Sequence, residues 1–150
     1  MPEFKMTGKI KMEEKDLSDF TRGYIEAAFF TDEERLTDEM GEEMPNVLFN
    51  GTDTEFETPS APSFEMLADE SLTKIIEDCA GFEMLNKALL DGAGTAEQNG
   101  HDFWLTRNRH GAGFWDRGYG EVGDKLTTAA QKYSECNLFY SSEDNKIYIE

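Results

Sequence analysis

The residue types best suited to chemistry crowd into one stretch, positions 101–118, where two His, three Arg, two Trp and two Asp alternate with glycines. His101 and His110, with Asp102 and Asp116, could supply a general base and the carboxylate that orients it, or ligands to a metal. Their spacing matches no established metal signature, neither HExxH nor paired cysteines, so no metal, cofactor or catalytic residue is assigned. Trp104 and Trp115 are the only tryptophans. Beside Arg117 they suit stacking or cation–π recognition of a planar ligand, while filling the core is the commoner fate of Trp in a small domain. Arg107, Arg109 and Arg117 could grip a phosphate or an acidic partner bidentately. The loop from Asn108 to Gly113 could offer backbone N–H groups to an anion, although it follows neither the P-loop pattern nor GxGxxG. His101, Trp104, Arg107, Asn108, His110, Trp115, Asp116 and Arg117 are therefore the candidates for a ligand- or partner-binding site, against the alternative that the whole stretch is scaffold.

Something must position these residues, and period-two alternation predicts a hairpin. Strands over 101–107 and 114–117, joined by the loop 108–113, would place Trp104, Thr106, Trp115 and Arg117 on one face. Helical spacing of Val122, Leu126, Ala129, Ala130 and Tyr133 predicts a following helix, and 137–141 with 146–149 read as a closing hairpin turned at 143–145. Residues 101–150 then form a β-β-α-β-β unit. Upstream, Leu17, Phe20, Tyr24, Ala27 and Ala28 mark a helix capped by Asp16 or Ser18, with Gly23 arguing against it. Leu72, Ile75, Ile76, Cys79, Phe82 and Leu89 mark a second, with Asp69 and Ser71 as caps. The expected fold class is α+β, one domain over 1–150: a charged leader at 1–15, N-terminal helices packed on the antiparallel sheet unit, and an acidic loop over 31–63 rich in Pro and Gly.

The formal net charge of −18, from 32 acidic and 14 basic side chains, disfavours any approach to nucleic-acid phosphates. It is unevenly spread: 101–150 holds 8 acidic and 6 basic residues, net −2, and the preceding hundred carry the remaining −16. Asp32, Glu33, Glu34, Asp38, Glu39, Glu42 and Glu43 are the candidate acidic surface, either a solvated coat or a phosphate-like array seeking a basic patch. The two cysteines, Cys79 and Cys136, form no motif, the apolar runs are too short to span a bilayer, and no secretory signal opens the chain, so a reducing cytoplasm is the expected compartment.

The stretch HDFWLTRNRHGAGFWDRGYGEVGDKLTTAA at 101–130, with FTRGYIEAAFF at 20–30 and LTKIIEDCAGF at 72–82, resembles a family of small uncharacterised proteins of tailed bacteriophages and prophages. Arg109 departs from the glycine expected after Asn108. The resemblance implies context rather than catalysis: a phage accessory protein acting in the host cytoplasm. An acidic, compact domain without a catalytic signature is expected, in that context, to bind or inhibit a host protein of defence or nucleic-acid machinery, with DNA mimicry by the acidic surface as one route. The other function class is a nucleotide- or phosphate-binding protein or small enzyme using the 101–118 hairpin.

Overall fold

A computed structural model describes residues 13–40, 64–141 and 143–149, with the side chains of 32–40 and 140 left outside the description. Most of the expected leader and the segment 41–63 with Glu42 and Glu43 therefore lie outside the described residues.

Helix α1 (Asp19–Met40) begins where the sequence predicts, with Ser18 as its cap: the Thr21 amide donates to Ser18 Oγ at 3.1 Å. It then continues through Met40, so the first ten residues of the expected acidic loop are helical backbone instead. Phe20, Tyr24, Ala27 and Ala28 form its buried stripe. Helix α2 (Asp69–Leu85) buries Leu72, Ile75, Cys79 and Phe82. Its N-cap is Ala68, because the Ser71 hydroxyl is used elsewhere, accepting from the Ile149 amide at 3.0 Å. A short helix α3 (Lys87–Asp91) follows the turn at Asn86.

The fold class is corrected here. Residues 96–107 form helix α4 (Ala96–Arg107), capped by Thr95 Oγ1 accepting from the Gln98 amide at 3.2 Å, and 114–116 form a single 3-10 turn. No hairpin is made over 101–117. The β-β-α-β-β unit reduces to helix α5 (Glu121–Gln131) and one antiparallel pair, β1 (Leu138–Ser141) with β2 (Lys146–Ile149), in a mostly helical chain. Alternation misleads at α4 because the helix is covered on several sides. Asn99, Gly100, Asp102, Phe103, Trp104, Thr106 and Arg107 are all buried, and no single apolar stripe remains to reveal a 3.6-residue period.

Helix α4 is the axis of the core and packs most closely on α1. The two backbones touch through glycine. A Cβ on Gly100 would lie 1.9 Å from the Phe20 carbonyl oxygen, and one on Gly23 2.2 Å from that of Glu97. Gly23, which weighs against a helix by propensity, is thus what lets α1 reach α4. Phe82 and Phe103 stack at 4.1 Å between centroids, and Phe20, Tyr24, Phe114 and Tyr133 surround them. The terminal hairpin pairs Leu138 with Ile149 and Tyr140 with Ile147. Ile147 bridges Leu67 and accepts from the Ala68 amide at 2.9 Å, which stitches β2 to the start of α2.

Candidate functional site

The buried polar side chains of 101–118 are bonded to one another and to the core. Asp102, fully buried on α4, receives Arg117 bidentately, with Nη2 at 2.9 Å and Nε at 3.1 Å from Oδ1, and Gln98 Nε2 at 3.2 Å. Arg117 is held by this pairing and by Asp116, and both carboxylates keep its guanidinium above its ordinary pKa. The 3-10 turn places it there: the Gly113 amide donates to Asp116 Oδ1 at 3.2 Å, and the Phe114 amide to Thr106 Oγ1 at 3.1 Å.

Arg107 is 2 % exposed, and its guanidinium reaches four oxygens. It donates to Asp78 Oδ2 at 3.0 Å, Tyr24 Oη at 3.1 Å, the Tyr133 carbonyl at 2.6 Å and the Ser134 carbonyl at 2.9 Å. Burial opposes its charge, but the Tyr24, Cys136 and Asp78 side chains outweigh that and hold its pKa up. One cation thereby joins α4 to α1, to α2 and to the chain leaving α5. Burial pushes the Tyr24 phenol and the Cys79 thiol well above their usual values and the Cys136 thiol upward.

The remaining candidates are dispersed. Trp104 is fully buried, its Nε1 donating to Thr31 Oγ1 at 2.7 Å, whereas Trp115 is 49 % exposed, so the two indoles share no face. His101 meets Glu26 on α1 at 2.9 Å near the surface, and His110 lies beyond the end of α4, where its amide donates to the Leu105 carbonyl. Asn108 closes α4: its Nδ2 donates to the Trp104 carbonyl at 3.1 Å, and its Oδ1 accepts from the Cys136 amide at 2.8 Å. Arg109 stands at φ 58°, in the left-handed region. With Arg109 N bonded to the Thr106 carbonyl and His110 N to that of Leu105, the end of α4 is a Schellman motif, whose left-handed residue is usually glycine. The glycine expected after Asn108 is thus what this backbone favours, and Arg109 holds the conformation without it.

Asp78, Tyr24, Gln98 and Thr31 complete these networks, and sequence reasoning missed them. Asp78 sits four residues after Lys74 on α2, an ordinary surface spacing, and bonds it at 3.2 Å. Nothing in the sequence says that its second partner is Arg107.

A second region stands out by its charge. The last third of α1 places Asp32, Glu33, Glu34, Asp38 and Glu39 on one helix, with no basic residue in the last turn. Where α2 turns into α3, an open cleft of about 480 Å³ is lined by Glu83, Met84, Lys87 and Asp91. Among the described residues no three His, Cys, Asp or Glu side chains converge as a metal site would require, and no helix is long and apolar enough to cross a membrane. Compared with family models, curated proteins and solved structures, the chain finds no match in any of the three.

Proposed function

We propose that this chain is a binding protein, a phage accessory factor that captures a host protein of defence or nucleic-acid machinery through its acidic surface. The observation that carries this reading is helix α1, which sets five carboxylates within eight consecutive positions, 32–39, on regular backbone. At about 1.5 Å of rise per residue these charges fall within about 11 Å along the axis, an array rather than a loose acidic run. Asp38 and Glu39 also stand at the negative end of the helix dipole, where each costs about 0.3–1 kcal/mol instead of helping. A basic patch on a partner would relieve that cost, which makes a nucleic-acid-facing surface of a host protein the natural target.

The nucleotide or phosphate reading drew on Arg107, Arg109 and Arg117 as candidate grips for a phosphate within the 101–118 segment. With Arg107 buried on Asp78 and carbonyls, and Arg117 on Asp102, both guanidiniums are already engaged.

Immobilised protein, exposed to lysate of the host and analysed by mass spectrometry, is expected to retain a specific basic protein that elutes steeply with salt. The combined variant Asp32→Asn, Glu33→Gln, Glu34→Gln, Asp38→Asn, Glu39→Gln should lose it at an ionic strength where screening acts over about 8 Å. Capture that ignores salt, or that survives the five substitutions unchanged, overturns the reading.

A further inference from the structure

The corner between α2 and α3 holds a carboxyl group without a bonding partner among the described residues. Glu83 is half-buried near the end of α2 and makes no hydrogen bond or ion pair among the described residues. Burial raises its pKa, and the only opposing influence is Lys87, which stays beyond ion-pair distance. Asp78 and Asp102, the more deeply buried carboxylates, each have an arginine. A partly desolvated carboxylate that faces an open cleft is an incomplete arrangement, because burial is offset only by Lys87 at a distance and by no bonded cation among the described residues.

The cleft beside it is preformed. Asn99, 3 % exposed, accepts from the Gly94 amide at 3.0 Å and donates to the Gly94 carbonyl at 3.1 Å and the Leu90 carbonyl at 3.4 Å, which fixes the loop opposite α2. Phe20 and Leu90 give it an apolar floor, while Met84, 76 % exposed, stands at its rim next to Leu85, 78 % exposed. Asp91 supplies a second carboxylate to the lining and Lys87 the one cation. The volume of about 480 Å³ admits a long side chain together with the backbone that carries it.

We propose that the α2–α3 cleft receives a lysine or arginine from a basic segment of a partner protein, its aliphatic stem against Phe20, Met84 and Leu90 and its head on Glu83 and Asp91. Long basic side chains pair an apolar stem with a charged tip, which matches a floor of this kind below a carboxylate, and methionine adapts its shape to such guests. An anionic ligand would face two carboxylates. A second copy would bring another net charge of −18 to the contact. This inference rests on the binding reading above and assigns it a specificity pocket.

The test is a titration of the full chain with a short amphipathic peptide rich in lysine and leucine, followed by the NMR signals of the Met84, Leu90 and Ala96 methyl groups. These signals are expected to shift saturably. Glu83→Gln should weaken the peptide about tenfold, and Lys87→Gln, which removes the competing cation, should tighten it severalfold. The opposite signs separate pairing from a structural effect, since both substitutions change the same corner. Saturable binding that leaves the cleft signals still, or that Glu83→Gln does not weaken, overturns the pocket and leaves the acidic-surface reading standing. A peptide that binds nowhere overturns both. Cleft signals that move with protein concentration alone assign the cleft to a second copy and also overturn the proposal.

Discussion

Two carboxylates, Asp102 on α4 and Glu83 on α2, separate what holds this protein together from what it presents. Asp102 is fully buried and meets Arg117 twice over, with Gln98 beside it. Glu83 is only half-buried, yet it has no hydrogen-bonding partner among the described residues. The buried charges in the region dense in polar and aromatic residues are thus paired internally, and a plain stretch of amphipathic helix carries a carboxylate with no bonded partner among the described residues. Density of chemical residue types marks a place where a fold needs specific bonds. A charge left unpaired at an open cleft is the stronger sign of a partner.

The largest test of this contrast is Arg117→Ala. Removing the cation leaves Asp102 as an uncompensated buried charge, which costs about 3–5 kcal/mol. Thermal unfolding should fall by about 10 °C, at about 2–4 °C per kcal/mol for a chain of this size. A drop of only a degree or two would break the comparison, because it would mean that Asp102 finds water or another donor. A smaller effect of opposite sign is expected at the end of the same helix. Arg109→Gly should stabilise the fold by about 1 kcal/mol, since glycine occupies the left-handed region without the steric cost a side chain incurs there, and the pair lost with Glu135, at 3.8 Å on the surface, contributes little. Chemical denaturation reads this directly, and a destabilised variant would show that the Arg109–Glu135 contact outweighs the backbone. Smallest of all is Glu83→Gln, which removes a half-buried carboxylate with no bonded partner among the described residues and is expected to stabilise the fold by no more than about 0.5 kcal/mol. A large loss there would place Glu83 with Asp102 as scaffold.

The elements legible in the sequence were those with one buried side. The first half of α1, helices α2 and α5 and the terminal hairpin all announce a stripe or an alternation, and the structure forms each of them. Helix α4 did not, because Phe103, Trp104, Thr106 and Arg107 are buried on different sides of it, and the segment reads as alternating. Gly100 compounds this, looking like a break when it is a contact surface. The extension of α1 through Met40 was hidden by its acids, which oppose the helix dipole and suggest a loop. At the candidate site, Arg107 and Arg117 look available in the sequence because their carboxylates, Asp78 and Asp102, are brought to them only by packing. Glu83 had no local signal at all, being one acid among many until the turn into α3 opens a cleft beside it.

The meeting of α1 and α4 through Gly23 and Gly100 bears on descent. Contacts between side chains survive drift because one partner can shrink as the other grows. Here the atoms encountered are the carbonyl oxygens of Glu97 and Phe20, and every substitution leaves a carbonyl in place. No change elsewhere can make room short of moving one helix bodily away from the other. Lineages diverging from this chain could therefore exchange most of its surface and much of its core while keeping these two positions without a side chain, which makes the pair the feature by which a distant relative would be known.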